Sequence, residues 1–148
     1  MGYTHYWESY ATSIPDEAVT RIAALLAKAH AKGIVQLEFD DARPPLVTAE
    51  EIRFNGVGEA GHETFYFNVH DDLRSWDGKP FDCCKTARKP YDDVVMKVLI
   101  VLKYYLRGQL HVRSDGSFAK DWQAARDAMH EEYGIETYPK TELGLIRR

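Results

Sequence analysis

At 148 residues the chain has the length of one domain and can bury a real core. Its 45% hydrophobic and 28% charged content matches an ordinary globular protein. A net charge of −4 excludes a protein that coats nucleic acid or an anionic membrane through bulk basicity, so neither extended nucleic acid nor a membrane is expected as a partner.

Two adjacent cysteines, Cys83 and Cys84, do not easily reach disulfide geometry. With an opening that lacks signal-peptide character, they lead to the expectation of a reducing cytoplasm. The longest apolar run, from Val94 to Leu106, is interrupted by Lys97 and Lys103 and is too short to span a bilayer.

In chain order, Tyr3 to Tyr10 predicts a strand with Tyr3, His5 and Trp7 on one face. Ser13 as N-cap, Pro15 in the first turn and Asp16 completing a capping box predict a helix start. Ala18, Ile22, Leu25, Leu26 and Ala29 follow at helical spacing, and Gly33 supplies a left-handed stop. Ile34 to Phe39 reads as a strand, and the segment from Asp40 to Pro45, with its two prolines, as a loop. Glu51 to Asn55 reads as a strand ending at Gly56. A glycine-bearing turn from Val57 to His62 joins it to a strand from Glu63 to His70, with Phe65, Phe67 and Val69 inward. Asp71 to Lys79 is polar loop. Tyr91 to Arg107 predicts the central helix, with Val94, Val95, Val98, Leu99, Val101, Leu102 and Tyr105 as its apolar stripe and Gly108 as its end. Leu110 and Val112 alternate with His111 and Arg113 in a strand. Ser114 to Ser117 turns, and Phe118 to Tyr133 predicts a third helix before Gly134.

The order predicts an α+β single domain over residues 1–134, an antiparallel sheet of about four to five strands with three helices mainly on one face. Residues 135–148 are weakly patterned and read as a C-terminal tail: an arm against a partner subunit, which would make a homo-oligomer, or a mobile end.

The stretch from Lys79 to Asp93 carries the most information. It sets Lys85, Arg88 and Lys89 directly before a helix start at Pro90, so cationic side chains, unpaired N–H groups and the positive end of a helix dipole converge. That is a recipe for holding an anion. Thr86 and Tyr91 add neutral donors of the kind that line nucleotide pockets. The plainer account pairs the three cations with Asp82, Asp92 and Asp93 close by.

The chain also resembles a family of small proteins seen in bacterial and phage genomes. The resemblance rests on Met1 to Trp7 (Met-Gly-Tyr-Thr-His-Tyr-Trp), Phe54 to Gly56 (Phe-Asn-Gly), Glu63 to Phe65 (Glu-Thr-Phe), Cys84 to Asp92 (Cys-Lys-Thr-Ala-Arg-Lys-Pro-Tyr-Asp) and Ser114 to Gly116 (Ser-Asp-Gly). The nine-residue central block is the specific part. The resemblance implies kinship and a phage or prophage setting, and it brings no activity with it.

Other candidates stand beside structural alternatives. His5 is a general base or phosphate donor, or an imidazole hydrogen-bonded in the core. Asn55 is a base-edge reader, or turn chemistry before Gly56. Glu63 is an acid or base, or an exposed strand-edge carboxylate. Asp115 matters for a site only if it faces the basic cluster, and Cys84 beside Lys85 and Arg88 is a nucleophile or a buried structural thiol. His62, His70, Asp71 and Asp72 lack recognised ligand spacing, so no metal and no cofactor are expected. Gly56, Gly58 and Gly61 match a dinucleotide fingerprint by letter, but in a hairpin that opens no helix.

The leading expectation is a binding protein for a small phosphate-bearing ligand such as a nucleotide, held by His5, Asn55, Lys85, Thr86, Arg88, Lys89 and Tyr91. In a phage setting it would sequester a nucleotide signal. The alternatives are a hydrolase or transferase acting on a phosphorylated or nucleoside substrate, with His5 or Glu63 as base, and an interaction protein with no ligand site.

Overall fold

The computed structural model describes residues 2–69 and 81–145. The described residues form an α+β fold with three helices and nine strands, every strand pair antiparallel. The strands are β1 (Thr4–Ser9), β2 (Val35–Gln36), β3 (Leu46–Val47), β4 (Glu51–Gly56), β5 (Phe65–Asn68), β6 (Phe81–Lys85), β7 (Leu110–Ser114), β8 (Thr137–Pro139) and β9 (Leu143–Leu145). The helices are α1 (Asp16–Ala31), α2 (Asp92–Leu106) and α3 (Gln123–Tyr133).

The expected single sheet is divided into three. One has the order β6-β1-β7, a second runs β2-β4-β3 with β5 also on β4, and a third is the β8-β9 hairpin. The first two sheets meet where the Glu63 N–H donates to the Lys85 carbonyl (3.2 Å). Glu63 Oε1 takes the Lys85 N–H in return (2.7 Å). A side chain there replaces a ladder partner, so the sheets abut without fusing. One core crosses the seam, with Trp7 and Phe54 each 5.1 Å from Phe65 between ring centroids.

The face carrying Tyr3, His5 and Trp7 is buried as the alternation predicts. In α2 burial goes further than the predicted stripe. Met96 and Ile100 are also buried, because α1, α3 and β7 all pack around this helix. A helix enclosed on so many sides is apolar almost all round.

Several boundaries differ from expectation for local reasons. Ser13 does not cap α1; extended Pro15 occupies that position, and Ile14 N–H is fixed to the Ala49 carbonyl (2.7 Å). Gly33, at φ +73°, ends α1 as predicted, with its N–H on His30 O and that of Ile34 on Ala29 O (both 3.0 Å). Helix α3 begins at Gln123, not Phe118, because the Asp121 carboxylate holds the Ser117 N–H (2.6 Å) and keeps residues 117–122 in a separate turn. Strand β6 had no signal in the sequence: it lies at a sheet edge and buries only Cys84. The segment set apart as a tail forms the β8–β9 hairpin. Ile135, Thr137 and Leu143 are buried, and Arg126 clamps the entry to the hairpin through Thr137 Oγ1 (2.7 Å) and the Thr137 carbonyl (2.9 Å).

Burial raises the phenols of Tyr3 and Tyr105 from 10.0 to about 12, and pushes that of Tyr91 higher still. A raised folded-state value favours the protonated phenol, so this stability is intact below pH 10 and is lost as pH rises towards 12. Denaturant midpoints should therefore be level up to about pH 10 and fall beyond it, with the tyrosinate absorbance of the folded protein lagging behind that of the unfolded chain.

Candidate functional site

The polar centre of the molecule is built by β1, β7 and the connection from β6 into α2. Register places His5 opposite Cys84 on one neighbour and Ser114 on the other. The chain then leaves β6 through a four-residue turn, Thr86 to Lys89, closed by the Lys89 N–H on the Thr86 carbonyl (3.0 Å). Ala87 and Arg88 both have positive φ, 52° and 57°, the pattern of a type I′ turn made without glycine. Tyr3 secures it from below, its carbonyl accepting from both Thr86 N–H (3.0 Å) and Ala87 N–H (3.2 Å). Left-handed backbone costs a residue with a Cβ roughly 1–2 kcal/mol, so Ala87→Gly should stabilise the protein by about 1 kcal/mol after the added chain entropy of glycine is subtracted. Equilibrium denaturation checks this.

The turn delivers Thr86 and Asp92 to His5. Asp92 Oδ1 lies 2.6 Å from His5 Nε2 and 2.6 Å from Thr86 Oγ1. On the other side of the ring, His5 Nδ1 lies 2.8 Å from Ser114 Oγ. His5 and Thr86 are fully buried. With the carboxylate accepting, Thr86 donates its hydroxyl and His5 donates Nε2–H; Nδ1 of the neutral ring is then an acceptor, and Ser114 must donate to it. The Gly116 N–H donates to Ser114 Oγ (2.9 Å), which leaves the serine proton free for Nδ1. One hydrogen-bond direction runs from Ser114 through His5 to Asp92.

Aromatic rings hold the imidazole on both sides. Trp122 and Tyr3 meet it edge-on, with centroids at 5.0 and 5.1 Å. The Tyr3 hydroxyl and Trp122 Nε1 are buried without a hydrogen-bond partner among the described residues. The Tyr3 hydroxyl lies near Ser114 without hydrogen-bonding geometry, and a Cβ added at Gly116 would collide with it. Burial, then the charges of Asp92 and Asp121, raise its pKa to about 12 and keep it a donor. Ser114 itself is half-buried and lines an open cleft of about 410 Å³ with Gly116, Ser117, Phe118 and Lys140.

The sequence-predicted residues divide between this centre and other duties. His5 and Thr86 belong to it. Arg88 reaches its rim, stacked 3.9 Å over the Tyr3 ring and paired with Asp121 (3.3 Å). Tyr91 is buried and donates its hydroxyl to the Glu63 carbonyl (2.6 Å), towards the seam between sheets. Asn55 is consumed by the β4–β5 connection: its amide donates to His62 O (3.0 Å) and Thr64 Oγ1 (3.2 Å), and its Oδ1 accepts from Gly56 and His62 N–H (2.7 and 3.1 Å). The glycines there have the same structural cause, since a Cβ at Gly56 or Gly61 would strike the facing backbone. Asp115 accepts from Tyr6 OH and Thr4 N–H (both 3.0 Å), so it faces β1.

Lys85 and Lys89 are half-buried and carry no ion pair among the described residues. Among the described residues the cluster shows no ion pair with its sequence neighbours. Asp92 turns to His5 and Thr86, Asp93 pairs with Lys97 (2.7 Å), and Asp82 accepts the Cys83 N–H (2.7 Å). Burial raises the Cys84 thiol well above its usual range, which fits an inert thiol. Among the described residues no three metal-donating side chains cluster; His70, Asp71 and Asp72 lie outside the described residues.

Ser114 and Asp92 were the residues sequence reasoning passed over as site members. Their partner His5 is 109 residues from one and 87 from the other, so no local spacing signals the constellation. No protein-family model, curated protein or solved structure matches this chain.

Proposed function

We propose that the protein is a hydrolase or transferase in which Ser114 is the nucleophile, His5 its general base and Asp92 the group that orients the base. The observation that carries this reading is the single hydrogen-bond direction from Ser114 Oγ through both imidazole nitrogens to Asp92, with distances of 2.8 and 2.6 Å. A serine hydroxyl is a weak nucleophile until a positioned base takes its proton, and a base held in one tautomer by a carboxylate is the arrangement that does so.

For an ester, Ser114 Oγ attacks the carbonyl carbon as its proton moves to Nδ1. Asp92 then stabilises the imidazolium through Nε2–H. The Tyr3 hydroxyl is the candidate donor to the oxyanion, since it is protonated, has no hydrogen-bond partner among the described residues and lies beside Ser114. The proton on Nδ1 passes to the leaving alkoxide, and water, deprotonated by the same nitrogen, releases the acyl group from the serine. Incubation with a fluorophosphonate probe followed by peptide mass spectrometry tests the assignment. Modification should fall on Ser114 and disappear in His5→Gln. An unmodified, folded protein overturns it.

A second reading, anion binding without turnover, draws on Lys85 and Lys89, which have no ion pair among the described residues while Asp92 and Asp93 engage elsewhere. A mono-, di- or cyclic nucleotide at a hundred times its dissociation constant should then add about 2.7 kcal/mol of stability, and Lys85→Ala with Lys89→Ala should remove that gain.

A further inference from the structure

The C-terminal hairpin lines two clefts. One is the cleft headed by Ser114; the other, of about 340 Å³, lies between the hairpin, the end of α2 and the start of β7. Lys140 and Thr141 line both, so the two adjoin at the hairpin.

The second cleft is cationic in a chain that is acidic overall. Arg107, Lys140, Lys103 and His111 line it, against one carboxylate, Glu142, which sits 3.5 Å from His111 Nδ1. Arg107 and Lys140 have no ion pair among the described residues; their guanidinium and ammonium groups rest instead against Tyr104 and Tyr138, at 5.8 and 4.9 Å. Arg107 is also held in a backbone conformation that suits glycine, φ 51° and ψ −123°. Lys103 maintains that corner, its ammonium donating to the carbonyls of Arg107 (2.8 Å) and Leu110 (2.6 Å). Glycine follows immediately at position 108, so an unstrained corner was one residue away. Strain of this sort clusters at functional sites, where the surrounding structure holds it in place.

We infer that this cleft binds a phosphate or diphosphate group, held by Arg107 and Lys140. His111 and Ser114 are three positions apart on β7 and so face opposite sides of the strand, which makes the cleft a site separate from the Ser114 centre.

Isothermal titration of the full chain with inorganic pyrophosphate, at low and high salt, tests the cleft without requiring turnover. The wild type and Ser114→Ala should bind alike, with affinity falling as salt rises. Lys140→Ala should bind roughly tenfold more weakly, the scale of one charge-assisted contact. Arg107→Gly should lose binding to the same degree while its melting temperature goes up. Absence of binding to the wild type, or wild-type affinity in both cleft variants, overturns the inference. Fluorophosphonate labelling keeps the two readings apart. Labelled Ser114 without pyrophosphate binding removes the anion site alone; binding without labelling leaves the anion site standing and removes the hydrolase.

Discussion

Ser114→Ala should abolish ester turnover, by roughly 10⁴-fold or more if the Ser–His–Asp relay behaves as a unit, and should leave the fold nearly unchanged. The hydroxyl is half-buried, and it accepts one hydrogen bond and donates one. Its removal exposes His5 Nδ1 to a cleft that water can enter, and the cost in stability is about 1 kcal/mol. Steady-state hydrolysis of an activated ester, measured beside a denaturation curve, separates the two effects. A variant that keeps wild-type turnover would show that Ser114 is only the end of a core network.

Asp92 carries the largest stability effect. Its Oδ1 satisfies two fully buried groups, His5 Nε2–H and the Thr86 hydroxyl. Asp92→Ala strands both donors at once. An unsatisfied buried polar group costs about 1–3 kcal/mol, so a loss of about 3 kcal/mol is expected. Asp92→Asn retains a carbonyl oxygen that can accept from both, and should cost about 1 kcal/mol while still lowering turnover by orders of magnitude, because a neutral amide stabilises no imidazolium. Chemical denaturation of both variants with kinetics of Asp92→Asn distinguishes positioning from mere support. Equal, small effects of the two substitutions would contradict the network as described.

The fold was legible in proportion to how much of it is periodic. Tyr3, His5 and Trp7 announced their face by alternation, and the stripe from Val94 to Leu102 marked the central helix. Edges were harder. Phe81 to Lys85 buries one residue and so lacks the alternation that marks a half-buried strand, while the β8–β9 hairpin is too short to carry a pattern.

The site was half legible for a related reason. Local sequence put Thr86, Arg88 and Asp92 into one turn-and-helix start, and that much is correct. It could not show that Asp92 would face a histidine 87 residues away and not the lysines beside it. Nor could it show that the acid for Arg88 would arrive from Asp121, 33 residues on. Charge neighbours in a chain are poor guides when a tight turn reverses direction between them, as the Thr86–Lys89 turn does.

The central position of β1 in its sheet has a kinetic consequence. The strand made first during synthesis has both its flanking partners, β6 and β7, far downstream, and the second is not complete until residue 114. One edge of its ladder can close once β6 is made and the other only with β7, and loop closure over such distances slows folding. Tyr3, His5 and Trp7 therefore have no complete sheet around them until β7 is made, so closure of this sheet waits on its most distant strand.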